Sequence, residues 1–339
     1  MFVPPAAVPA NPIAHSSQTN TIFVAGTWMN SASNRTFLVK NPATLEVIGE
    51  CADGDGSAAI AALEAAYRAF DDWSRVPPEQ RATRLHHLAQ LVQRDQAALA
   101  DLLIAESGKP RREALGEVSS SVSYLHWNAE EATRVHGRTL AAPRPSVRLW
   151  TQKQPIGVVV AITPWNYPLN TLCRKIAPAL AAGCTVIAKP APQTPLTAIA
   201  FMRLAEEAKI PAGVLNLVTT SQTEETVRVW MDDSRVRKIA FTGSTAVGVR
   251  LVKESAATLK RVSSWEVTLP HWCSTTLVWS RPPTPLFNPV FGTLDKLVSV
   301  CSASMFTSRQ RSSCCMSYRG GLRGSKWETG AIHKPISDP

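Results

Sequence analysis

Beginning at Gly157, short apolar runs alternate with segments in which apolar residues recur at helical spacing. The apolar runs predict buried strands over 157–162, 185–188, 214–218 and 238–241. The other segments predict helices over 171–182, 196–208, 223–231 and 246–258. This order is typical of right-handed βαβ crossovers, which place their strands in one parallel sheet. We therefore expect an α/β fold with a Rossmann-type parallel sheet, in which ligands bind at the carboxyl ends of the strands.

The part of the chain before this alternation carries different signals. Residues 21–50 alternate apolar and polar positions around turn residues, which predicts a small antiparallel ribbon. Helical periodicity predicts three N-terminal helices over 57–73, 78–107 and 111–135. In the third of these helices, Tyr124 and Trp127 are expected to face the core. Residues 1–20 are expected to be disordered.

Composition and charge argue against several classes of protein. No apolar run approaches the roughly 20 residues that span a bilayer, so a membrane protein is not expected. Residues 1–20 contain neither lysine nor arginine, which disfavours a signal or transit peptide and makes the cytoplasm the expected location. The net charge is +10, but the basic residues after Ser263 form no helical stripe interleaved with aromatic side chains. Nucleic-acid binding is therefore not expected.

The cysteine and histidine patterns do not predict a metal site. The chain has seven cysteines, and those within 264–339 lack the paired spacing of metal ligands. Three other cysteines lie among apolar neighbours and are typical of small core residues in a reducing compartment, namely Cys51, Cys173 and Cys184. His86 and His87 are interpreted as an exposed pair on a helix.

The loop after the first predicted strand contains a candidate catalytic residue. The strand ends at Ile162 and continues into Thr163, Pro164, Trp165 and Asn166. The amide NH2 group of Asn166 could donate a hydrogen bond to a developing oxyanion, and the prolines around it would fix the loop. A plain turn is the alternative interpretation, and spacing alone favours it.

The second predicted strand leads into a loop with a candidate nucleotide-binding lysine, Lys189. A lysine that leaves a strand end toward a helix can hydrogen-bond ribose hydroxyl groups, or a phosphate where one is present. An acidic residue in this loop would favour the 2′-hydroxyl of NAD and repel the additional phosphate of NADP. Pro192 supplies no such acid. The alternative interpretation of Lys189 is a solvated loop lysine.

The fourth predicted strand ends in a glycine-containing turn that opens a helix. Gly243 would allow the backbone to approach a ligand closely, while the Ser244 hydroxyl and the helix N-terminus could hold a pyrophosphate. Gly248 completes a GxxxxG spacing rather than GxGxxG, so the motif is weak on its own. A plain strand-to-helix cap is the alternative interpretation.

Arg174 is a candidate substrate-binding residue. It follows Asn166 along the chain and lies near the start of the next helix, beneath the expected pocket. Its guanidinium could pair bidentately with a carboxylate on a substrate. A surface arginine beside Lys175 is an equally good interpretation.

Four segments together resemble the NAD(P)-dependent aldehyde dehydrogenase superfamily in residues, order and spacing. They are 163–166 (TPWN), 182–190 (AGCTVIAKP), 213–218 (GVLNLV) and 241–248 (FTGSTAVG). Finer features, among them Arg174-Lys175 and the segment 259–263 (LKRVS), resemble the succinate-semialdehyde dehydrogenase branch. The resemblance covers residues 20–263.

The resemblance implies an aldehyde dehydrogenase fold and roles for particular residues. Asn166 would be the oxyanion donor, and Arg174 would hold a substrate carboxylate. The residues implied to line the site of NAD or NADP are Ile162, Thr163, Pro164, Trp165, Lys189, Pro192, Gly243, Ser244 and Gly248. In the implied reaction, a cysteine thiolate attacks the aldehyde, hydride passes to nicotinamide, and a glutamate activates the water that hydrolyses the thioester. The family also implies a homo-oligomer.

The chain departs from the family pattern after Ser263. The family continues with Leu-Glu-Leu-Gly-Gly, whereas Ser264-Trp265-Glu266-Val267 stands here, and the family motif Gly-Gln-Thr-Cys is absent from the sequence. The resemblance therefore supplies neither the nucleophile nor the general base, and Cys301 does not match the motif. The tail can also be read in a shifted frame, in which each codon takes the last base of one given codon and the first two bases of the next. That frame permits Leu-Gly-Gly over 264–267 and Gly-Gln-Thr-Cys within 291–300. A shifted reading frame is our hypothesis for this tail.

These observations leave three hypotheses for function. The first is an aldehyde dehydrogenase by descent, in which the sequence of the catalytic half is no longer that of the family. The family function would be oxidation of a small carboxylated aldehyde such as succinate semialdehyde. The second is a non-catalytic dinucleotide-binding remnant, and the third is the product of a faulty gene model. We expect residues 21–263 to form the cofactor-binding domain and 264–339 to be an out-of-frame, unstructured tail, so that the catalytic domain is missing or disordered.

Overall fold

The computed structural model describes residues 20–266 of the chain. The strands in this part are β1 (Ile22–Val24), β2 (Thr27–Met29), β3 (Thr36–Lys40), β4 (Val47–Ala52), β5 (Arg138–Leu140), β6 (Leu149–Thr151), β7 (Val158–Ile162), β8 (Thr185–Lys189), β9 (Leu215–Leu217), β10 (Val236–Gly243) and β11 (Arg261–Glu266). The main sheet has the order β11-β10-β7-β8-β9-β1-β2, while β3–β4 and β5–β6 form separate ribbons.

The main sheet is mixed rather than wholly parallel. Strands β10, β7, β8 and β9 run parallel to one another, as the alternation of strands and helices predicts. A fifth parallel strand, β11, pairs with β10 and was not predicted. Strand β1 pairs antiparallel with β9 and with β2, so an N-terminal hairpin extends the edge of the sheet. The residues 21–50 therefore do not form one ribbon, because their first two strands join the main sheet and only β3 and β4 form a ribbon of their own.

Helices cover both faces of this sheet. They are α1 (Gly56–Arg75), α2 (Pro78–Arg94), α3 (Gln96–Ser107), α4 (Arg111–Ala132), α5 (Pro168–Ala181), α6 (Leu196–Glu207), α7 (Thr223–Asp232) and α8 (Thr245–Ser255). Asp55 caps α1 by accepting from the backbone N–H groups of Ser57 and Ala58. Gly108 ends α3 with φ 70°, a left-handed conformation that favours glycine. Within residues 20–266, no helix combines the length and apolarity that crossing a membrane requires.

Alternating side chains of the buried strands divide the core into two layers. Val158 and Val160 of β7 pack on one face with apolar residues of α1 and α7, including Trp230. Val159 and Ala161 pack on the other face with α2, α4, α5 and α6. Because both faces are covered, every residue of β7 and β8 is buried. The predicted core positions of the three cysteines are confirmed, since Cys51, Cys173 and Cys184 are buried free thiols.

Two expectations for the helical region are wrong. The segment 78–107 forms two helices, because Asp95 adopts φ −96° and ψ 19° between α2 and α3 while the apolar periodicity continues on both sides. Trp127 is 62% exposed, since α4 turns Leu125 and Ala129 toward the core and Trp127 away from it. Tyr124 is only partly buried. The ribbon β5–β6 was not expected, and its strands are exposed on both sides and so carry no burial pattern.

The expected domain boundary falls inside a strand. Strand β11 continues past residue 263 and pairs Ser264 with Phe241 and Glu266 with Gly243. The expectations of a disordered N-terminus, an unstructured tail and a missing catalytic domain otherwise concern residues 1–19 and 267–339, which lie outside the described residues. They therefore stay predictions.

A buried carboxylate connects α3 to the start of α6. Glu106 is 3% exposed and accepts hydrogen bonds from the backbone N–H groups of Leu196 and Thr197 and from the Thr197 hydroxyl. Helix α6 has no side-chain cap from its own N-cap residue, so Glu106 takes that role from another element. Burial outweighs these hydrogen bonds and raises the pKa of Glu106 to about 8.

Replacement of Glu106 by alanine should lower the free energy of unfolding by about 3 kcal/mol, because three buried donors lose their acceptor. Urea denaturation of the full chain, followed by circular dichroism, measures this difference. Glu131→Ala on α4 is the control, since its side chain is 43% exposed, and it should change the free energy of unfolding by less than about 0.5 kcal/mol. Equal effects of the two substitutions would contradict the capping role of Glu106.

Candidate functional site

The strand order creates a crevice at the carboxyl edge of the sheet. After β7 the chain crosses to β8 and β9 on one side, whereas β10 and β11 lie on the other side of β7. The connections therefore diverge between the ends of β7 and β10, where Ile162 pairs with Phe241. Ligands bind at such a switch point in open parallel sheets. The loops after Ile162 and Gly243 flank the crevice, and the loop after Lys189 lies beside it because β8 pairs with β7.

The loop after β7 presents Asn166 with a defined orientation. Burial decreases along this loop, from buried Thr163 through half-buried Pro164 to Trp165, which is 56% exposed. The Asn166 Oδ1 atom accepts a hydrogen bond from the Tyr167 backbone N–H at 3.0 Å. Because this bond uses the amide oxygen, the Nδ2 group is the part of the side chain that can donate to an oxyanion.

A buried ion pair holds this loop from the helical layer. The Lys109 ammonium contacts the Glu117 carboxylate and donates to the Asn166 carbonyl oxygen at 2.9 Å. Glu117 also accepts from the backbone N–H groups of Leu169 and Asn170, in the first turn of α5, at 2.9 and 3.1 Å. Burial raises the pKa of Glu117, and the charge of Lys109 opposes that rise. The pair therefore fixes both the Asn166 loop and the beginning of α5.

Lys189 is buried at the end of β8 and is only 2% exposed. Its Nζ atom donates to the Thr223 hydroxyl at 2.7 Å, at the start of α7. Burial lowers the pKa of Lys189 to about 8, and no carboxylate of the described part of the chain opposes this shift. Lys189 is therefore not a solvated loop residue. Pro192 lies half-buried in the following loop.

Gly243 at the end of β10, the N-cap residue Ser244 and Gly248 within α8 have different environments. A Cβ atom on Gly243 would contact the ring of Phe241, so a side chain there would require that ring to move. Ser244 is exposed and is the N-cap residue of α8, but its side chain makes no capping hydrogen bond to the helix. Gly248 is buried together with Leu251 on the inward face of α8. Its part in cofactor binding therefore stays a prediction, while Ser244 is open to a ligand.

The groups at the crevice fit the ribose and pyrophosphate of a dinucleotide. The Thr163 hydroxyl is buried and has no hydrogen-bond partner within residues 20–266, although buried hydroxyls normally have one. The Thr163 backbone N–H donates to the carbonyl oxygen of Lys189 at 3.2 Å, which joins the two loops. Helix α8 begins at exposed Ser244 without an acidic residue in its first turn, so the positive end of its dipole faces solvent.

Arg174 lies on α5 and is held by an aromatic ring of α4. Its guanidinium carbon is 4.5 Å from the ring centroid of Tyr124, and the same group donates to the Tyr124 hydroxyl. The ring and the hydroxyl orient the guanidinium but supply no negative charge. Arg174 can therefore still pair with a carboxylate.

Lys175 is a second buried lysine beside the crevice. Its Nζ atom contacts the Thr242 hydroxyl near the end of β10 and lies 3.5 Å from the Thr171 carbonyl oxygen. Burial, together with a smaller effect of the charge of Arg174, lowers the pKa of Lys175 to about 7. Two amines with lowered pKa values thus lie at neighbouring parts of the carboxyl edge, which is typical of functional sites.

Several residues that contact the site are not among those predicted from the sequence. They are Lys109, Glu117, Lys175 and Thr223, and their contacts with the site depend on how separate elements pack together. One signal was present for Glu117, because a charged residue there interrupts the apolar face of α4. That signal does not reveal which loop the charge contacts.

The histidine pair is only partly as expected. His87 is exposed, but His86 contacts α4 through two ring nitrogens, with Nδ1 2.8 Å from Nδ1 of His126 and Nε2 3.2 Å from Glu130. The interpretation as an exposed pair is therefore wrong for His86. Among residues 20–266, no group of three or more histidine, cysteine, aspartate or glutamate side chains is arranged to hold a metal ion.

Comparison with known proteins accounts for this architecture. The model of the aldehyde dehydrogenase family matches residues 28–265. The chain belongs to this family. The match extends from β2 to β11 and includes the crevice and all the predicted site residues. The resemblance inferred from the motifs is thereby confirmed at the level of the family and the fold.

Three relatives illustrate the similarity. The 3-sulfolactaldehyde dehydrogenase of Pseudomonas putida is 46% identical over 241 residues, which cover 71% of this chain and 49% of the relative. A probable NADP(+) succinate-semialdehyde dehydrogenase of Sinorhizobium fredii is 45% identical over 233 residues, covering 69% of this chain and 48% of the relative. The crystal structure of betaine aldehyde dehydrogenase from Staphylococcus aureus in complex with NAD+ has a TM-score of 0.71 at 32% identity. The match covers 72% of this chain and 49% of that one. The chain thus spans about half the length of these relatives.

The buried Lys175 amine should make stability depend on pH in a specific direction. Its folded-state pKa of about 7 lies below the ordinary 10.5, so above pH 7 the unfolded chain binds more protons than the folded chain. This contribution to stability grows as the pH rises from about 7 toward 10.5 and is lost as the pH falls through 7.

Thermal unfolding of the parent chain and of Lys175→Met between pH 6 and pH 9.5 tests this dependence. The melting temperature of the parent should rise relative to that of Lys175→Met across this interval, because methionine keeps most of the volume and cannot titrate. Lys253→Met, at an exposed position of α8, should follow the parent at every pH. A constant difference between the parent and Lys175→Met would contradict the lowered pKa.

Proposed function

We propose that this chain binds NAD or NADP in the crevice between β7 and β10, and that it descends from an enzyme that oxidises aldehydes. The observation that carries the proposal is the buried Lys189 amine, which lies at the carboxyl edge and donates to a neutral group, the Thr223 hydroxyl. The unpaired Thr163 hydroxyl and the open start of α8 at Ser244 lie on the adjoining loops.

Each part of the crevice has a proposed role toward the dinucleotide. Lys189 hydrogen-bonds the adenosine ribose, and Ser244 with the first turn of α8 holds the pyrophosphate. The four residues Ile162, Thr163, Pro164 and Trp165 line the side nearer the nicotinamide, next to Asn166. When bound, the cofactor supplies the acceptor for a hydride.

The substrate class proposed for the ancestral reaction is a small aldehyde with an anionic group. Arg174 supports this proposal, because its guanidinium is oriented by Tyr124 and can pair bidentately with a carboxylate. The names of two relatives point the same way, since 3-sulfolactaldehyde and succinate semialdehyde both carry an anionic group. In that reaction, the Asn166 amide would donate to the oxyanion that forms from the aldehyde oxygen.

We do not propose that the chain as written oxidises an aldehyde. The Gly-Gln-Thr-Cys motif is absent from its sequence. The cysteines at 51, 173 and 184 are unsuitable nucleophiles, because burial raises the pKa of Cys51 to about 12 and also raises the pKa values of Cys173 and Cys184. A thiol must ionise to attack a carbonyl carbon at neutral pH.

Calorimetric titration of the full chain with NADH and NADPH tests the proposed binding. We expect saturable binding of at least one of the two, and Lys189→Met should weaken it about tenfold because the ribose loses a charged donor. Lys40→Met is the matched control, since Lys40 is exposed on β3, and it should leave the affinity unchanged. Absence of saturable binding of either nucleotide would contradict the proposed function.

Turnover measurements test the proposed descent. The chain as written should reduce neither NAD nor NADP with succinate semialdehyde. A gene in which the reading frame after the Ser263 codon is restored should encode a chain that does, with a rate that falls at least about 100-fold in its Asn166→Ala variant. Turnover by the unaltered chain would overturn the account of the missing nucleophile, and an inactive restored chain would count against the proposed reaction.

A further inference from the structure

An arginine of α8 reaches across to the start of α7 beside the crevice. Arg250 donates to the Glu224 carboxylate at 2.7 Å and to the Glu254 carboxylate of its own helix at 2.8 Å. Glu224 directly follows Thr223, whose hydroxyl accepts from Lys189. Two cations, one from the end of β8 and one from α8, therefore contact consecutive residues in the first turn of α7.

The partners of Arg250 are exchangeable. The side chain of Arg250 is 42% exposed, and those of Glu224 and Glu254 are 77% and 38% exposed. Ion pairs of this exposure are screened by solvent and contribute little to stability. A phosphate dianion presents more charge and more acceptor oxygens than one carboxylate, and a guanidinium binds it bidentately. A ligand phosphate can therefore replace Glu224 as the partner of Arg250.

The position of Arg250 along α8 suits the adenosine end of a dinucleotide. With a rise of about 1.5 Å per residue, Arg250 lies about 9 Å along the helix from the N-cap Ser244, where the pyrophosphate is proposed to bind. Lys189, the group proposed to hold the adenosine ribose, contacts the same turn of α7 as Arg250 does. The loop after β8 carries Pro192 and so places no acidic side chain against a phosphate there.

From these contacts we infer that Arg250 is a cofactor-specificity residue: together with Lys189 it binds the 2′-phosphate of NADP, so that the crevice prefers NADP to NAD. This inference rests on the proposed function, because it needs a dinucleotide in the crevice. Glu224 and Glu225, in the first turn of α7, act in the opposite direction by repelling the phosphate. Glu224 has a second effect, because its carboxylate pairs with the Arg250 guanidinium and so competes with the phosphate for it.

The two members of the Arg250–Glu224 pair should therefore have opposite effects on the affinity for NADP. Arg250→Gln removes the cation that the 2′-phosphate binds, whereas NADH has only a 2′-hydroxyl at that position. Glu224→Gln releases the guanidinium and removes a like charge. A merely structural role of the ion pair would affect both nucleotides, and both variants, in the same direction.

Calorimetric titration of the full chain and its variants with NADPH and with NADH distinguishes these cases. The parent chain should bind NADPH about tenfold more tightly than NADH. Arg250→Gln should weaken NADPH binding about tenfold and change NADH binding less than about twofold, whereas Glu224→Gln should tighten NADPH binding about threefold. Lys253→Gln removes the same charge from an exposed position of α8 and should leave both affinities unchanged. The preference for NADPH should shrink at high ionic strength.

Three outcomes would count against the inference. Binding of NADH and NADPH with equal affinity, or loss of both affinities together in Arg250→Gln, would overturn it and leave the proposed dinucleotide binding in place. Weaker binding of NADPH by Glu224→Gln would likewise overturn it, because the carboxylate would then support the ligand. Failure of the parent chain to bind either nucleotide would overturn both the inference and the proposed function.

Discussion

Burial of the parallel strands β7, β8 and β9 is the constraint on which the rest of this structure depends. Parallel strands need crossover connections, and these connections bring all the carboxyl ends to one edge of the sheet. Since β10 and β11 lie on the opposite side of β7 from β8 and β9, the connections separate at one point of that edge. The loops that contain Asn166, Lys189 and Ser244 are far apart in sequence, and this topology alone brings them together.

Several charged residues around the crevice are buried. The buried glutamates accept from backbone N–H groups, whereas two buried lysines donate to hydroxyl groups. Glu106 and Glu117 accept from the first backbone N–H groups of α6 and α5, so the helical layer fixes the helices that follow the two ligand loops. Lys109 completes this arrangement by pairing with Glu117. Lys175 and Lys189 have only neutral hydrogen-bond partners among the contacts described, and burial lowers their pKa values. Burial of an unpaired cation is unfavourable, so these amines are suited to an anionic or hydroxyl-bearing ligand.

The crevice proposed to bind the nucleotide and the family's reactive motifs belong to different parts of the sequence. Dinucleotide binding depends on the strand ends and on α8, all of which lie within the family match over residues 28–265. Oxidation of an aldehyde also needs a nucleophilic thiolate and a general base, and the sequence patterns that carry them in the family are absent after Ser263. The proposed binding of a nucleotide depends on backbone geometry and fixed charges, whereas the family reaction depends on individual side chains that belong to another part of the sequence.

The local pattern of the sequence was sufficient for most of the fold and for one side of the site. Apolar runs such as 185–188 and the turn residues after them predicted four of the five parallel strands and the loops with Asn166, Lys189 and Ser244, because strand and helix periods are properties of neighbouring residues. The break at Asp95 was not predictable, since the apolar spacing continues across it. The exposure of Trp127 was not predictable either, because it depends on how α4 is rotated against its neighbours.

Only the tertiary structure decided the partners of the charged groups. Lys109 lies 57 residues before Asn166, and Lys189 lies 34 residues before Thr223, so no local pattern relates them. Likewise, Arg250 and Glu224 are on different helices, and their contact depends on how α7 and α8 pack. The sequence by itself therefore determined four parallel strands, the loops at their carboxyl ends and the family. The electrostatics of the crevice followed from the distant side chains that packing brought within hydrogen-bond distance.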